Sequence, residues 1–187
     1  CRAARSPGSA LKPFAYAIAM ESNQIFPTEA LLDNVLDYGT YQPVNFDGRM
    51  HGLVSADDAL RRSLNIPAVM VLERIGCPAF YTLLRETGLT TLTQPPEFYG
   101  LGLVLGNCEV KLEEVAAAYC MLANLGEYRP LAVRADEVRT TRRVLSPGTC
   151  LSIYSMLEQP LPDEFDASMV MPNASTPVCW KTGTSTG

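Results

Sequence analysis

The chain has 187 residues, 47% apolar and 19% charged, with a net charge of −5. That balance belongs to a globular protein, not a disordered one, and the length fits one domain or a large part of one. The acidic excess excludes broad electrostatic binding to nucleic acid or anionic membrane; the densest basic cluster, Arg139, Arg142 and Arg143, reads as a solvated turn.

The sequence opens on Cys1-Arg2-Ala3-Ala4-Arg5, with no Met and no signal-peptide pattern, and reads as the interior of something longer. Leu11, Phe14, Ala15, Ile18 and Ala19 recur at helical spacing and predict a helix from about Ser9 to Asn23, with Pro13 in its first turn. Residues 24–54 carry Pro27, Gly39, Pro43, Gly48 and Gly52 and read as loop. Ser55-Ala56-Asp57-Asp58 is a capping pattern that opens a helix over 56–62. Pro67 starts the next, which Gly76 stops; 78–87 followed by Gly88 repeats the device.

Residues 89–110 read as irregular. Leu112, Val115, Ala116, Tyr119, Leu122 and Ala123 form another apolar stripe, ending at Gly126. Segments 131–135 and 141–145 pair as a short hairpin, and Ser146-Pro147 caps a helix to about Gln159. Residues 160–177, with Pro160, Pro162, Pro172 and Pro177, are loop; 178–184 is β-prone, a lone strand at the end. The expectation is a mostly helical chain with an incomplete sheet. The longest uncharged runs, 144–157 and 167–180, contain proline and are shorter than the about 18 apolar residues of a membrane span. The six cysteines form no C-x-x-C and there is a single His, so no structural zinc site is expected; most of the cysteines read as small buried hydrophobes.

Three short motifs carry chemistry. In Ser9-Ala10-Leu11-Lys12 the i and i+3 side chains share a helical face, so a hydroxyl and an amine can meet. A serine hydroxyl is a weak nucleophile until a base takes its proton, and Lys12 can be that base only if burial or a second cation lowers its pKa. Ser63-Leu64-Asn65 lies between two helices, where a hydroxyl can relay a proton and an amide can hold a substrate amide. Lys181-Thr182-Gly183-Thr184 offers a cation, two hydroxyls and a position without side-chain bulk where a ligand must approach. Alone, each has an ordinary reading: a helix cap with a surface lysine, a pair of turn residues, a common tetrapeptide. His51 reads as a loop side chain, Trp180 as packing under the terminal strand, and Glu113-Glu114 as acids suited to a helix start.

In this order the three motifs resemble the S-x-x-K, S-x-N and K-T-G signature of penicillin-binding proteins and class A β-lactamases. The text between them is similar to class A penicillin-binding proteins: Asp33 with Tyr41-Gln42-Pro43-Val44-Asn45-Phe46-Asp47, then Ala59-Leu60-Arg61-Arg62-Ser63-Leu64-Asn65-Ile66-Pro67-Ala68-Val69, and later Leu105-Gly106-Asn107-Cys108-Glu109-Val110. The resemblance covers nearly the whole chain. It implies an α+β transpeptidase fold, a five-stranded antiparallel sheet sandwiched by helices, of which residues 1–187 are a part. The flanking strands, the glycosyltransferase domain and the N-terminal anchor of the parent would lie outside, leaving the isolated chain weakly active or inactive.

The resemblance further implies a D,D-transpeptidase on the periplasmic face of the bacterial inner membrane. Its partners would be peptidoglycan stem peptides and β-lactam antibiotics, and it would need no metal or other cofactor. Ser9 would form the acyl-enzyme, Lys12 would be the base, and Ser63 would relay a proton. Asn65, Lys181, Thr182, Gly183 and Thr184 would bind substrate, and the N–H groups of Ser9 and Thr184 would form the oxyanion hole. The rival readings are a serine β-lactamase, whose water-positioning E-x-x-L-N pattern has no match here, and a β-lactam-binding sensor or scaffold module without turnover.

Overall fold

The computed structural model describes residues 3–39, 41–132, 134, 137, 139–160 and 178–184. Its centre is α1 (Lys12–Glu21), entered through a 3-10 turn at Gly8–Leu11. Every residue from Leu11 to Ala17 is buried, as expected of a helix apolar on all sides. Pro13 sits in the first turn, among backbone donors that have no helical partner anyway. Around α1 pack α3 (Asn65–Ile75), α4 (Cys77–Glu86) and α7 (Pro147–Leu157), with α2 (Ala56–Arg61) wedged between α1, α3 and α7.

The region expected to be loop over 24–54 contains a hairpin. β2 (Ala30–Asp33) pairs antiparallel with β3 (Gly52–Ser55), in the register Ala30↔Ser55 to Asp33↔Gly52. Leu31 and Asp33 point inward, while Leu32 and Leu53 are exposed. A carboxylate on the buried face and leucines on the outer face hide the period-two signal. Ser55 caps α2 as expected, its hydroxyl accepting from Asp58 N–H at 3.1 Å.

Residues 89–110 are also more regular than expected: α5 (Pro96–Tyr99), a 3-10 turn at Gly100–Leu105, and β4 (Val110–Lys111), which pairs with β1 (Ala4–Arg5). α6 (Leu112–Ala123) follows its apolar stripe. The hairpin expected from 131–135 and 141–145 is displaced. β6 (Arg142–Arg143) pairs with β5 (Glu127–Tyr128), and Val133 and Ala135 lie outside the described residues. Arg142 and Arg143 are exposed, as expected of the basic cluster, but stand on a strand and not in a turn: Arg142 donates to Glu86 O and stands 4.9 Å over the Tyr128 ring, and Arg143 donates to Leu125 O.

α7 starts where Ser146 Oγ accepts from Thr149 N–H at 3.2 Å, with the Glu21 carboxylate from the end of α1 accepting from Ser146 N–H. Residues 161–177 of the expected loop lie outside the described residues. The terminal segment makes a single β-bridge, Glu158↔Cys179, so the expected strand over 178–184 is not formed among the described residues. Of the five described cysteines only Cys150 is buried; Cys120 and Cys179 are exposed and all five are free thiols, which corrects the expectation of mostly buried sulfurs.

Candidate active site

Lys12 begins α1 and is fully buried. Its Nζ donates to the Ser63 carbonyl at 2.6 Å and to Asn65 Oδ1 at 2.7 Å, with Ser63 Oγ farther off at 3.4 Å. Burial, and secondarily the cation of Lys181, lower its pKa to about 7. The two motifs Ser9–Lys12 and Ser63–Asn65 are thus tied at the amine. Ser9 Oγ makes no hydrogen bond with another described residue, to Lys12 or otherwise, and is half-buried at the surface of the 3-10 turn.

Ser63 ends α2. Leu64 N–H donates to Ala59 O and Ser63 N–H to Leu60 O, a Schellman closure whose left-handed position glycine usually occupies. Here that position is Ser63, with φ +61°. A side chain in this conformation is disfavoured by roughly 1–2 kcal/mol. The turn places both the hydroxyl and the carbonyl of Ser63 on the lysine side. Asn65 opens α3; its Nδ2 donates to Val44 O at 2.7 Å while Oδ1 accepts from Lys12.

The K-T-G segment packs on the Ser9 turn through glycines. A Cβ on Gly183 would lie 2.8 Å from Pro7 O and 3.2 Å from Ala10 Cβ. One on Gly8, at φ +53°, would lie 2.3 Å from Thr184 O, and one on Gly106, at φ +85°, 2.3 Å from Gly8 N. Gly106, Gly8 and the Gly183–Thr184 backbone therefore stack in direct contact, with Ser9 next in chain to the middle layer. Ser6 Oγ fastens this stack to Gly106 O at 2.9 Å, and Tyr119 in α6 donates to Ala10 O at 2.8 Å. None of Gly8, Gly106 and Tyr119 was a candidate site residue in the sequence: Tyr119 stood in the apolar stripe of α6, Gly106 in the text that carries the family resemblance, and Gly8 immediately before Ser9. Lys181 Nζ lies 3.1 Å from Thr182 O and Oγ1, its pKa lowered by burial to about 8, and Thr182, Gly183 and Thr184 are exposed.

The remaining singled-out residues have structural partners. Trp180 Nε1 donates to Pro160 O, and Glu114 accepts from Thr90 Oγ1. His51 is not a simple loop side chain: its Nδ1 lies 2.7 Å from the buried Asp33 carboxylate and its Nε2 3.2 Å from Asp47. A recess of about 660 Å³ lined by Ser6, Tyr41, Tyr99, Gly106 and Asn107 adjoins the glycine stack and contains none of the motif residues.

Residues 1–186 match the model of the penicillin-binding protein transpeptidase domain. The chain belongs to this family. It is 40% identical over 186 residues to penicillin-binding protein 1C of Escherichia coli, covering 98% of this chain and 23% of that protein. It is 34% identical over 171 residues to penicillin-binding protein 1F of Bacillus subtilis, covering 84% of this chain and again 23% of the relative. The chain thus spans less than a quarter of the length of these relatives. The PonA1 protein of Mycobacterium tuberculosis in complex with penicillin V superposes with a TM-score of 0.72 at 21% identity, covering 84% of this chain and 47% of that one. The fold of this chain is therefore the α+β fold of the family, here helices with short strand pairs.

Proposed function

We propose that this chain carries the acylation site of a peptidoglycan D,D-transpeptidase, with Ser9 as nucleophile and Lys12 as its base. The observation that carries the reading is the buried Lys12 amine, three residues after Ser9, with a pKa lowered to about 7 and both its short hydrogen bonds made to the S-x-N loop. An amine at its ordinary pKa is neutral in roughly one molecule in 10³ at pH 7, whereas at about 7 half are neutral. A neutral amine has two N–H donors and one lone pair. Ser63 O and Asn65 Oδ1 accept from the two donors, leaving the lone pair for the Ser9 proton.

Ser9 Oγ then attacks the carbonyl carbon of the penultimate D-Ala of a stem peptide. The carbonyl oxygen becomes an oxyanion between the N–H groups of Ser9 and Thr184, each donor being worth about 3 kcal/mol in the transition state. Collapse breaks the amide bond; Ser63 passes the proton to the departing D-Ala amine, and the acyl-enzyme remains. The amine of a neighbouring stem peptide attacks the ester, its proton returns through Lys12, and Ser9 is regenerated with the cross-link made. Asn65 orients the substrate amide, Lys181, Thr182 and Thr184 receive the terminal carboxylate, and Gly183 leaves room for the peptide. β-Lactams acylate Ser9 by the same attack. The setting is the periplasmic face of a bacterial inner membrane, in keeping with bacterial penicillin-binding relatives.

The test is to incubate the full-length protein with a fluorescent penicillin and, separately, with a stem peptide ending in D-Ala-D-Ala. Stable label on Ser9, lost in Ser9→Ala, together with D-Ala release, is the expected result. Fast loss of label would mark a β-lactamase, stable label without D-Ala release a sensor, and no label would overturn the acyl-enzyme reading.

A further inference from the structure

The first backbone N–H groups of α3 lack a cap from their own chain segment: Leu64, the residue before the helix, supplies no side-chain acceptor. The acceptor comes from a distant loop. Asn45 Oδ1 receives Asn65 N–H at 2.8 Å and Ile66 N–H at 3.3 Å. Asn45 is 4% exposed, and its Nδ2 is held by both oxygens of Asp33 and by Arg49 O, each at 2.8 Å. Asp33 is fully buried at the end of β2, and it also accepts from His51 N–H at 2.9 Å and faces His51 Nδ1.

A buried carboxylate is costly, and an apolar pair of the same volume would serve stability as well or better. What an apolar pair cannot do is grip two backbone donors at a fixed place. Those donors belong to the residue that contacts Lys12 and to the next one. A second path leads to the same helix: the neighbouring Val44 O accepts from Asn65 Nδ2. Asp33 also acts electrostatically on Tyr16, one helical turn beyond Lys12 in α1, whose buried hydroxyl has no partner among the described residues.

We propose that Asp33 and Asn45 are positioning residues for acylation: the pair caps α3 from outside and so fixes Asn65 and Ser63 against Lys12. The proposal rests on the transpeptidase reading of the site. Neither residue touches the reacting atoms, so their effect reaches the chemistry through the S-x-N turn. Loosening that turn admits water to Lys12, whose charged neighbour among the described residues is Lys181, Ser63 and Asn65 being neutral. Hydration favours the protonated amine and moves the pH dependence of acylation upward.

The test measures acylation rate by a fluorescent penicillin across pH in the full chain, with melting temperature recorded for each variant. Asn45→Ala removes the cap; Asn45→Asp keeps the acceptor but sets it against the Asp33 charge; Asp33→Asn keeps the shape. Leu84→Ala and Ile153→Val are controls for lost stability elsewhere in the core. The expected result is a 10- to 100-fold slower acylation in the Asn45 variants, a smaller loss in Asp33→Asn, and a midpoint moved above that of the wild type, while the controls keep the wild-type rate and midpoint. Asn45 variants that melt earlier yet acylate at the wild-type rate and midpoint would overturn the proposal, as would controls that shift in the same way. Should Asn45→Ala not fold, the two near-isosteric variants decide. An unlabelled wild-type chain would instead overturn the transpeptidase reading itself.

Discussion

At Lys12 an amine is fully buried with only neutral oxygens for partners. Replacing it by Met keeps the volume and removes the buried cation, while leaving two acceptors without their donor. The two effects oppose each other, so Lys12→Met is expected to melt within a few degrees of the wild type while acylation falls below detection; a penicillin-labelling assay beside a thermal melt checks both. Ser63 separates strain from function in a second way. Ser63→Gly suits the left-handed turn and is expected to be about 1 kcal/mol more stable than Ser63→Ala in denaturant unfolding, with both losing acylation rate. Equal stability of the two would mean that the turn is unstrained. The motif residues were legible because S-x-x-K, S-x-N and K-T-G occur in order; the backbone conformation of Ser63 was not, because serine gives no sign that it stands where glycine usually does.

Between elements, the contact that brings the K-T-G segment to the Ser9 turn is made by backbone. A methyl group at Gly106 would lie 2.3 Å from Gly8 N, and one at Gly8 would lie 2.3 Å from Thr184 O. Gly106→Ala is therefore expected to destabilise by about 3 kcal/mol, from overpacking together with its positive φ, and to slow acylation by separating Ser9 from Thr184. Unfolding curves and labelling rates check it. Helices α1, α2, α4 and α6 were legible from their stripes and stops. The β2–β3 hairpin was not, since Asp33 occupies an inward position and Leu32 and Leu53 face out. The glycine stack escaped for a different reason: Gly8, Gly106 and Gly183 meet only in three dimensions, and close backbone approach leaves no periodic trace.

At the scale of the molecule the two site lysines set a pH window. Acylation needs Lys12 neutral, so its rate is expected to rise as pH passes about 7. Carboxylate binding needs Lys181 charged, so the rate is expected to fall as pH passes about 8. The result is a narrow bell whose two limbs belong to the coupled pair. Both amines have pKa values below those of the unfolded chain, which therefore binds more protons above pH 7. Their combined contribution makes folding more favourable as pH rises from about 7 toward 10.5. Rate–pH profiles and melting temperatures over the same range check both statements. A flat profile through pH 7 would remove Lys12 as the titrating base.

The most direct measurement is the mass of the full chain after exposure to a β-lactam, followed by peptide mapping of the adduct. The expected result is a single covalent adduct on the peptide containing Ser9, absent from Ser9→Ala and from Lys12→Met. An adduct on Ser63 or elsewhere, or one that forms undiminished without the Lys12 amine, would contradict it.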